Sequence, residues 1–323
     1  MPRPCSRPEK RALAAGLSEI LGGIVTVLAR EPHEYWSTHP AEVVTCRSGS
    51  GATLRLLCKY SGGADSLAHG HRGGVAYESE VYRRVLAFPE VSTPRYHGTH
   101  VDPATGWAWL VLEYLDDCLR LEMTAGDAAH TRAARWLGAF HAAHERLAGD
   151  PSHAFLSRYD EKYYAGWVGR ARRFARPLEG KVPWFAAVCD AAGDLFEPLL
   201  SAPHAVIHGE FYPKNVLLLN RRVIPVDWES AAIGPGEIDL AALLEGWGER
   251  VSRACVTAYL RTRESAGDRA AIGRRLDAAR AYLCFRWLGD RPEWTAKEGA
   301  RFHFDTLRAS AARLGVPGTE KAS

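Results

Sequence analysis

The sequence predicts an α+β protein of two lobes, a small β-rich one followed by a large helical one. Three observations carry this. Residues 41–115 read as short strands with one intervening helix. From residue 128 onward apolar residues recur at helical spacing almost throughout. One stretch, 206–228, interrupts the helices with a strand, a polar loop and a hairpin. The expected division falls at 1–115 and 116–323.

The chain of 323 residues is long enough for one large or two ordinary cores. A formal net charge of +3 is small and gives no argument for nucleic acid or an anionic membrane, and neither is expected as a partner. The 7 cysteines are scattered without a C-x-x-C, which fits reduced cytoplasmic thiols better than a disulfide framework or a zinc site. No stretch has the roughly 20 apolar residues that a membrane span requires. Arg3, Arg7, Lys10 and Arg11 precede an apolar run to Ala29. There Leu13, Leu17, Ile20, Leu21, Ile24 and Leu28 share a helical face and Glu19 breaks the run. An amphipathic helix over 12–30 is therefore expected rather than an export signal.

Residues 41–46 and 53–60 read as strands around the turn Arg47-Ser48-Gly49-Ser50-Gly51. Such a turn can offer backbone N–H groups to phosphates, which makes Ser48, Gly49 and Gly51 candidates. Lys59 lies among apolar neighbours on the second strand, where an ammonium needs a carboxylate. Residues 61–74 form a Gly-rich connector whose His69 and His71 make an H-x-H pair with no further ligands in view. A helix from residue 75 puts Glu78 and Tyr82 on one face. Residues 93–101 and 106–115 read as two strands joined by an Asp-Pro-Ala-Thr-Gly turn.

Helices are expected over 128–147, 155–176, 183–200 and 237–247, and over most of the chain to 314. The segment 155–180 mixes Arg158, Lys162, Arg170, Arg172, Arg173 and Arg176 with Tyr159, Tyr163, Tyr164, Trp167 and Phe174. It reads either as a basic, aromatic ligand-facing helix, better suited to a neutral or acidic molecule than to a polycation, or as a solvated basic face over core aromatics.

In the interrupting stretch a strand at 205–207 leads into the polar loop 208–215. Apolar runs at 216–219 and 223–226 flank a basic turn and end at Asp227. Glu210 and Asn215 stand two and seven residues after His208. Protein kinases use H-x-D-x-x-x-x-N, where the Asp orients the attacking hydroxyl and the Asn holds Mg2+. His208-Gly209-Glu210-Phe211-Tyr212-Pro213-Lys214-Asn215, Pro225-Val226-Asp227-Trp228-Glu229 and Gly234-Pro235-Gly236-Glu237-Ile238-Asp239-Leu240-Ala241 together resemble three ordered motifs of the aminoglycoside phosphotransferase and choline kinase group. Leu137-Gly138-Ala139-Phe140-His141-Ala142 is similar to a fourth.

The resemblance implies a bilobal protein-kinase-like fold and transfer of the γ-phosphate of ATP, or GTP, to a hydroxyl of a small molecule. It implies Mg2+ on Asn215 and Asp227, and Lys59 on the nucleotide phosphates. Glu78 would pair with Lys59, with Glu80 as the alternative. Adenine would meet the backbone of Glu113 to Leu115. Glu210 would orient the acceptor, His208 and Asp239 would support the loop, and His141 would be a packed histidine. Position 210 departs from the group's Asp, and the added methylene moves the carboxylate by about 1 Å. Two readings follow: a phosphotransferase that uses Glu210, or a nucleotide-binding pseudokinase acting through a ligand or partner. A protein kinase is disfavoured, since no D-F-G or A-P-E follows Asp227.

Overall fold

The computed structural model describes residues 7–33, 39–61, 71–87, 91–103, 106–124, 126–263, 269–297 and 299–320. His69, residues 34–38 and the turn residues 104–105 lie outside them. The elements run α1 (Lys10–Leu21), β1 (Thr26–Pro32), β2 (Ala41–Arg47), β3 (Thr53–Tyr60), α2 (Gly74–Arg84), β4 (Tyr96–Val101), β5 (Ala108–Glu113) and β6 (Leu119–Arg120). There follow α3 (Asp127–Glu145), β7 (Ser157–Arg158), α4 (Glu161–Ala175), α5 (Phe185–Asp190), α6 (Ala192–Leu200) and β8 (His204–Ile207). The hairpin strands β9 (Val216–Leu219) and β10 (Arg222–Pro225) precede β11 (Ala232–Pro235). Last come α7 (Glu237–Leu244), α8 (Glu249–Thr262), α9 (Arg269–Asp290), α10 (Pro292–Thr295) and α11 (Ala300–Arg313). Residues 1–66, 72–119 and 217–230 make one compact unit, and residues 67–71, 120–216 and 231–323 make a second.

The first unit is built on an antiparallel sheet ordered β1-β2-β3-β5-β4. Leu13 and Leu17 of α1 pack with Val44, Cys46, Leu56, Tyr60, Trp109 and Val111 of the sheet into one buried cluster. The helix expected over 12–30 is shorter than its apolar spacing implied. It ends at Leu21, where Gly22 takes the left-handed conformation (φ 70°) and closes the last turn. The β-branched run after Gly23 then forms edge strand β1. Ile24 and Leu28, which had seemed to extend the helix face, are 81% and 44% exposed. In the centre of the sheet Lys59 pairs with Ala41 on one side and Leu110 on the other. The β9–β10 hairpin turns through Asn220 and Arg221, both at positive φ, as a tight two-residue connection requires.

The second unit is mainly helical, with a small sheet ordered β7-β11-β8. Strand β11, for which the sequence carries no expectation, pairs antiparallel with β8 and parallel with β7. Its four residues are too few to show a period. The expected helix over 155–176 starts only at Glu161, because Asp160 accepts the Tyr163 N–H at 2.8 Å and caps it. The expected helix over 183–200 is divided at Ala191 into α5 and α6. Tyr159, Tyr164 and Trp167 are fully buried, and Tyr164 stacks on Phe196 at 4.8 Å. Most of the aromatics interleaved in the basic segment are therefore core. Of its arginines, Arg170 caps the Gly289 and Asp290 carbonyls and Arg172 pairs with exposed Asp190.

Among the described residues no helix is long and apolar enough to cross a membrane. No group of three or more His, Cys, Asp or Glu side chains there is arranged to hold a metal ion.

Helices α3 and α8 meet at Gly138. A Cβ there would run into Thr262 Oγ1 and come within 2.6 Å of the Tyr259 carbonyl. Gly138→Ala should lower the unfolding free energy by about 1–3 kcal/mol, read from denaturant midpoints. A second expectation concerns pH. Burial and then Arg286 lower the pKa of His303, which stacks on Trp287 at 4.0 Å, to about 4. An imidazole held below its unfolded pKa of 6.5 contributes stability that is present above 6.5 and lost as the pH falls towards 4. Wild type should lose up to about 3 kcal/mol over that window relative to His303→Gln.

Candidate active site

In the first unit a single ammonium draws three segments together. Lys59 Nζ, on β3, lies 2.7 Å from Glu78 Oε2 of α2 and 2.5 Å from Asp227 Oδ1. Glu229 Oε2 stands 3.9 Å away. Glu78 also accepts the Trp228 N–H through Oε1 at 3.0 Å, so it fixes the backbone beside Asp227. Asp227 itself has φ 69°, a left-handed conformation that Asp tolerates better than most residues. Burial lowers the Lys59 pKa, but Asp227, Glu78 and Glu229 more than reverse this and leave it well above the usual lysine value. Burial also pushes the Glu78 carboxyl up, against the opposing influence of Lys59, to about 7. Glu80 is not part of the group; it pairs with Arg83 and Arg84 at the surface.

The remaining first-unit candidates lie on β2–β3 and at the end of β5. The Ser48–Gly51 turn closes through Ser48 N–H to Ala52 O and Gly51 N–H to Ser48 O, both 2.9 Å. At the end of β5 the Glu113 N–H is committed to Arg95 O and the Tyr114 N–H to Arg55 O. The Leu115 N–H donates to no group among the described residues.

In the second unit the polar loop hangs from one carboxylate. Asp239, fully buried on α7, accepts the N–H groups of His208 (2.6 Å) and Gly209 (2.8 Å). His141 Nε2 stands 3.2 Å from Asp239 Oδ2, and the other ring nitrogen meets Tyr259 OH at 3.0 Å. Burial lowers the His141 pKa against its bond to Asp239, so a neutral ring serves as donor to the carboxylate. The Glu210 N–H donates to His208 Nδ1 at 3.3 Å. The Glu210 carbonyl accepts from the Tyr212 N–H and from Asn215 Nδ2, at 2.7 and 3.0 Å. Asn215 thus turns its NH2 inward, and its Oδ1 accepts no hydrogen bond among the described residues.

Both donor types suit a hard cation. Asp227 is the most exposed carboxylate around Lys59, at 33% against 2% for Glu78 and 1% for Glu229, and Asn215 presents an amide oxygen. Carboxylate and amide oxygens are the ligands Mg2+ favours.

The model of the family described as the phosphotransferase enzyme family matches residues 67–274. The chain belongs to this family. No curated protein matches this phosphotransferase in sequence. Its fold is similar to that of aminoglycoside 2'-phosphotransferase-IIIa solved with GDP, with TM-score 0.63 and 15% identity over 95% of this chain and 99% of that one. Choline kinase LicA from Streptococcus pneumoniae gives TM-score 0.61 and 13% identity over 94% and 98%. Macrolide 2'-phosphotransferase MphH from Brachybacterium faecium gives 0.58 and 17% over 97% and 99%. The α+β, protein-kinase-like fold is common to them.

Two features of this phosphotransferase were not singled out from its sequence. Arg286, on α9, is 5% exposed and donates to the Gly209 carbonyl at 2.8 Å. A charged residue inside the apolar run Leu283-Cys284-Phe285-Arg286-Trp287-Leu288 was the available signal. The second is a cavity of about 370 Å³ lined by Glu245, Trp247, Ser252, Arg280, Phe302 and Thr306, among others. Burial raises the Glu245 pKa against the opposing influence of Arg286 and Lys214.

Asp239→Asn would put an NH2 group against one of the two backbone donors, whichever way the amide is turned. The variant should lose about 2–4 kcal/mol of stability and show faster hydrogen exchange at the His208 and Gly209 amides.

Proposed function

We propose that the protein transfers the γ-phosphate of ATP to a hydroxyl of a small molecule, with Mg2+ held by Asn215 and Asp227. GTP is the alternative donor. The observation that carries this reading is Lys59, buried and ion-paired with both Glu78 and Asp227. Burying Lys59 and Glu78 together is costly unless they are used or tightly paired, and with Asp227 the three residue types stand in kinase order. Bound Mg2+ would neutralise the charge that spreads over the phosphate oxygens during transfer.

The chain's own groups do the rest. Lys59 binds the nucleotide phosphates, while Glu78 keeps its ammonium in place. Within the Ser48–Gly51 turn, whose Ser48 and Gly51 N–H groups close the turn itself, the Gly49 N–H faces the phosphate oxygens, and the Leu115 N–H and Glu113 carbonyl receive the base. Glu210 accepts the hydrogen bond of the acceptor hydroxyl and orients its oxygen for in-line attack. Asp239, His208 and His141 keep the loop in shape. The free cysteines among the described residues support a cytoplasmic setting.

The acceptor is a hydroxyl-bearing small molecule such as an antibiotic, a sugar or another natural product. The cavity's Trp247 and Phe302, with one carboxylate and Arg280 beside it, favour a molecule with an apolar or aromatic part over a polycation. A phosphate-transfer screen with mass readout, across antibiotics, sugars and natural-product glycosides, tests the reading. Transfer to at least one member is expected, with poor turnover of aminoglycosides; efficient turnover of kanamycin-type compounds would overturn the acceptor assignment. Nucleotide binding without transfer to any acceptor would favour the pseudokinase reading. Glu210→Gln should lower transfer by about 10²-fold or more while leaving ATP affinity unchanged. Full turnover in that variant would remove Glu210 from the mechanism.

A further inference from the structure

The guanidinium of Arg286 closes on one short piece of the catalytic loop. Nη1 donates to the Gly209 carbonyl at 2.8 Å, and Nη2 donates to Tyr212 OH at 2.8 Å. Nη2 also stands 3.3 Å from Glu210 Oε1. One planar fork therefore holds the carbonyl before residue 210, the carboxylate of residue 210 and the hydroxyl two residues on. The cation lies over the Tyr212 ring at 5.7 Å and the Tyr282 ring at 6.0 Å, which fixes its own plane. On the other side His71 Nε2 lies 3.6 Å from the same Glu210 oxygen, and the His71 ring packs edge-on to Trp167 at 5.2 Å. The Glu210 side chain is only 8% exposed.

This arrangement bears on the departure at position 210. Glu has one more rotatable bond than Asp and carries its carboxylate about 1 Å further out. An unheld glutamate would spread over several rotamers, and each would present the oxygen differently to a hydroxyl. A guanidinium fixed to the same loop removes that freedom, and its reach suits the longer side chain. We propose that Arg286 is a positioning residue for phosphoryl transfer, and that Glu210 and Arg286 form a length-matched pair in which neither works at full rate without the other. This rests on the reading of Glu210 as the group that orients the acceptor hydroxyl.

The pair makes an unusual prediction: restoring the group's own Asp should harm this enzyme. The full chain would be prepared as wild type, Glu210→Asp, Arg286→Lys, the double variant and Glu210→Gln. Turnover of Mg·ATP would be followed with water as acceptor and with any acceptor found in the transfer screen. Lysine keeps the charge but cannot span the three oxygens. Arg286→Lys should lower kcat at least tenfold with the KM for ATP within twofold. Glu210→Asp should do the same. The double variant should be no slower than the slower single variant, because a carboxylate already released has nothing further to lose. Unchanged kcat in Arg286→Lys, or losses that multiply in the double variant, would overturn the pairing. A purely structural tie from α9 to the loop would lower stability and multiply with Glu210→Asp. Should Arg286→Lys fail to fold, Glu210→Asp alone decides, since undiminished kcat in it contradicts the length match. Full turnover by Glu210→Gln would instead refute the underlying reading of Glu210, as would absence of any turnover by the wild type, and the pairing would fall with it.

Discussion

The ammonium of Lys59 is the constraint on which the first unit depends. It sits on the central strand of the sheet, and its partners come from α2 and from a segment 168 positions further along the chain. A lone ammonium at that depth would be expelled or neutralised. Two close carboxylates and a third behind them make its burial tolerable, and they dictate where α2 and residues 227–229 must lie. Glu78 ties the group to the backbone by accepting the Trp228 N–H. The same ion pairs therefore fix both the place of α2 and the backbone beside Asp227.

The second unit solves a similar problem with the signs reversed. There the fixed point is an anion, Asp239, and the groups it gathers are backbone amides and a neutral imidazole. The loop needs such an anchor because its first residues leave β8 without ladder partners, and buried N–H groups must be satisfied. With the amides of His208 and Gly209 held, the Glu210 carbonyl is left to Asn215 and the Tyr212 N–H. The order of residues along the loop is thus an order of hydrogen bonds.

What was legible in the sequence was whatever short spacing encodes. Lys59 on an apolar strand, Glu78 on the facing helix and the His208–Asn215 interval are local patterns, and each carries its physical reason with it. Element ends were harder to read. Apolar spacing carried the leading helix past Gly22–Gly23, since periodicity does not register a left-handed break followed by β-branched residues. Strand β11 went unread because four residues without polar alternation show no period. In the basic segment 155–180, composition alone could not separate ligand-facing aromatics from core ones; Trp167 and Tyr164 are interior because α9 and α6 cover them. Arg286 escaped because its partners lie 74 and 77 positions away, and nothing near it in the chain announces them.

The discontinuity of the first unit has a consequence for how the protein is made. Its last segment, residues 217–230, is synthesised roughly a hundred residues after β5, following much of the second unit. At about 5–20 residues per second the ribosome holds the sheet for several seconds before Asp227 exists. During that interval Lys59 has only Glu78 and water for company, and α2 lacks the Trp228 amide that anchors it. The early sheet can collapse on the α1 cluster, but it cannot finish. Closing this unit is therefore a late, long-range event in the life of the nascent chain, and the step at which a folding helper would have most to protect.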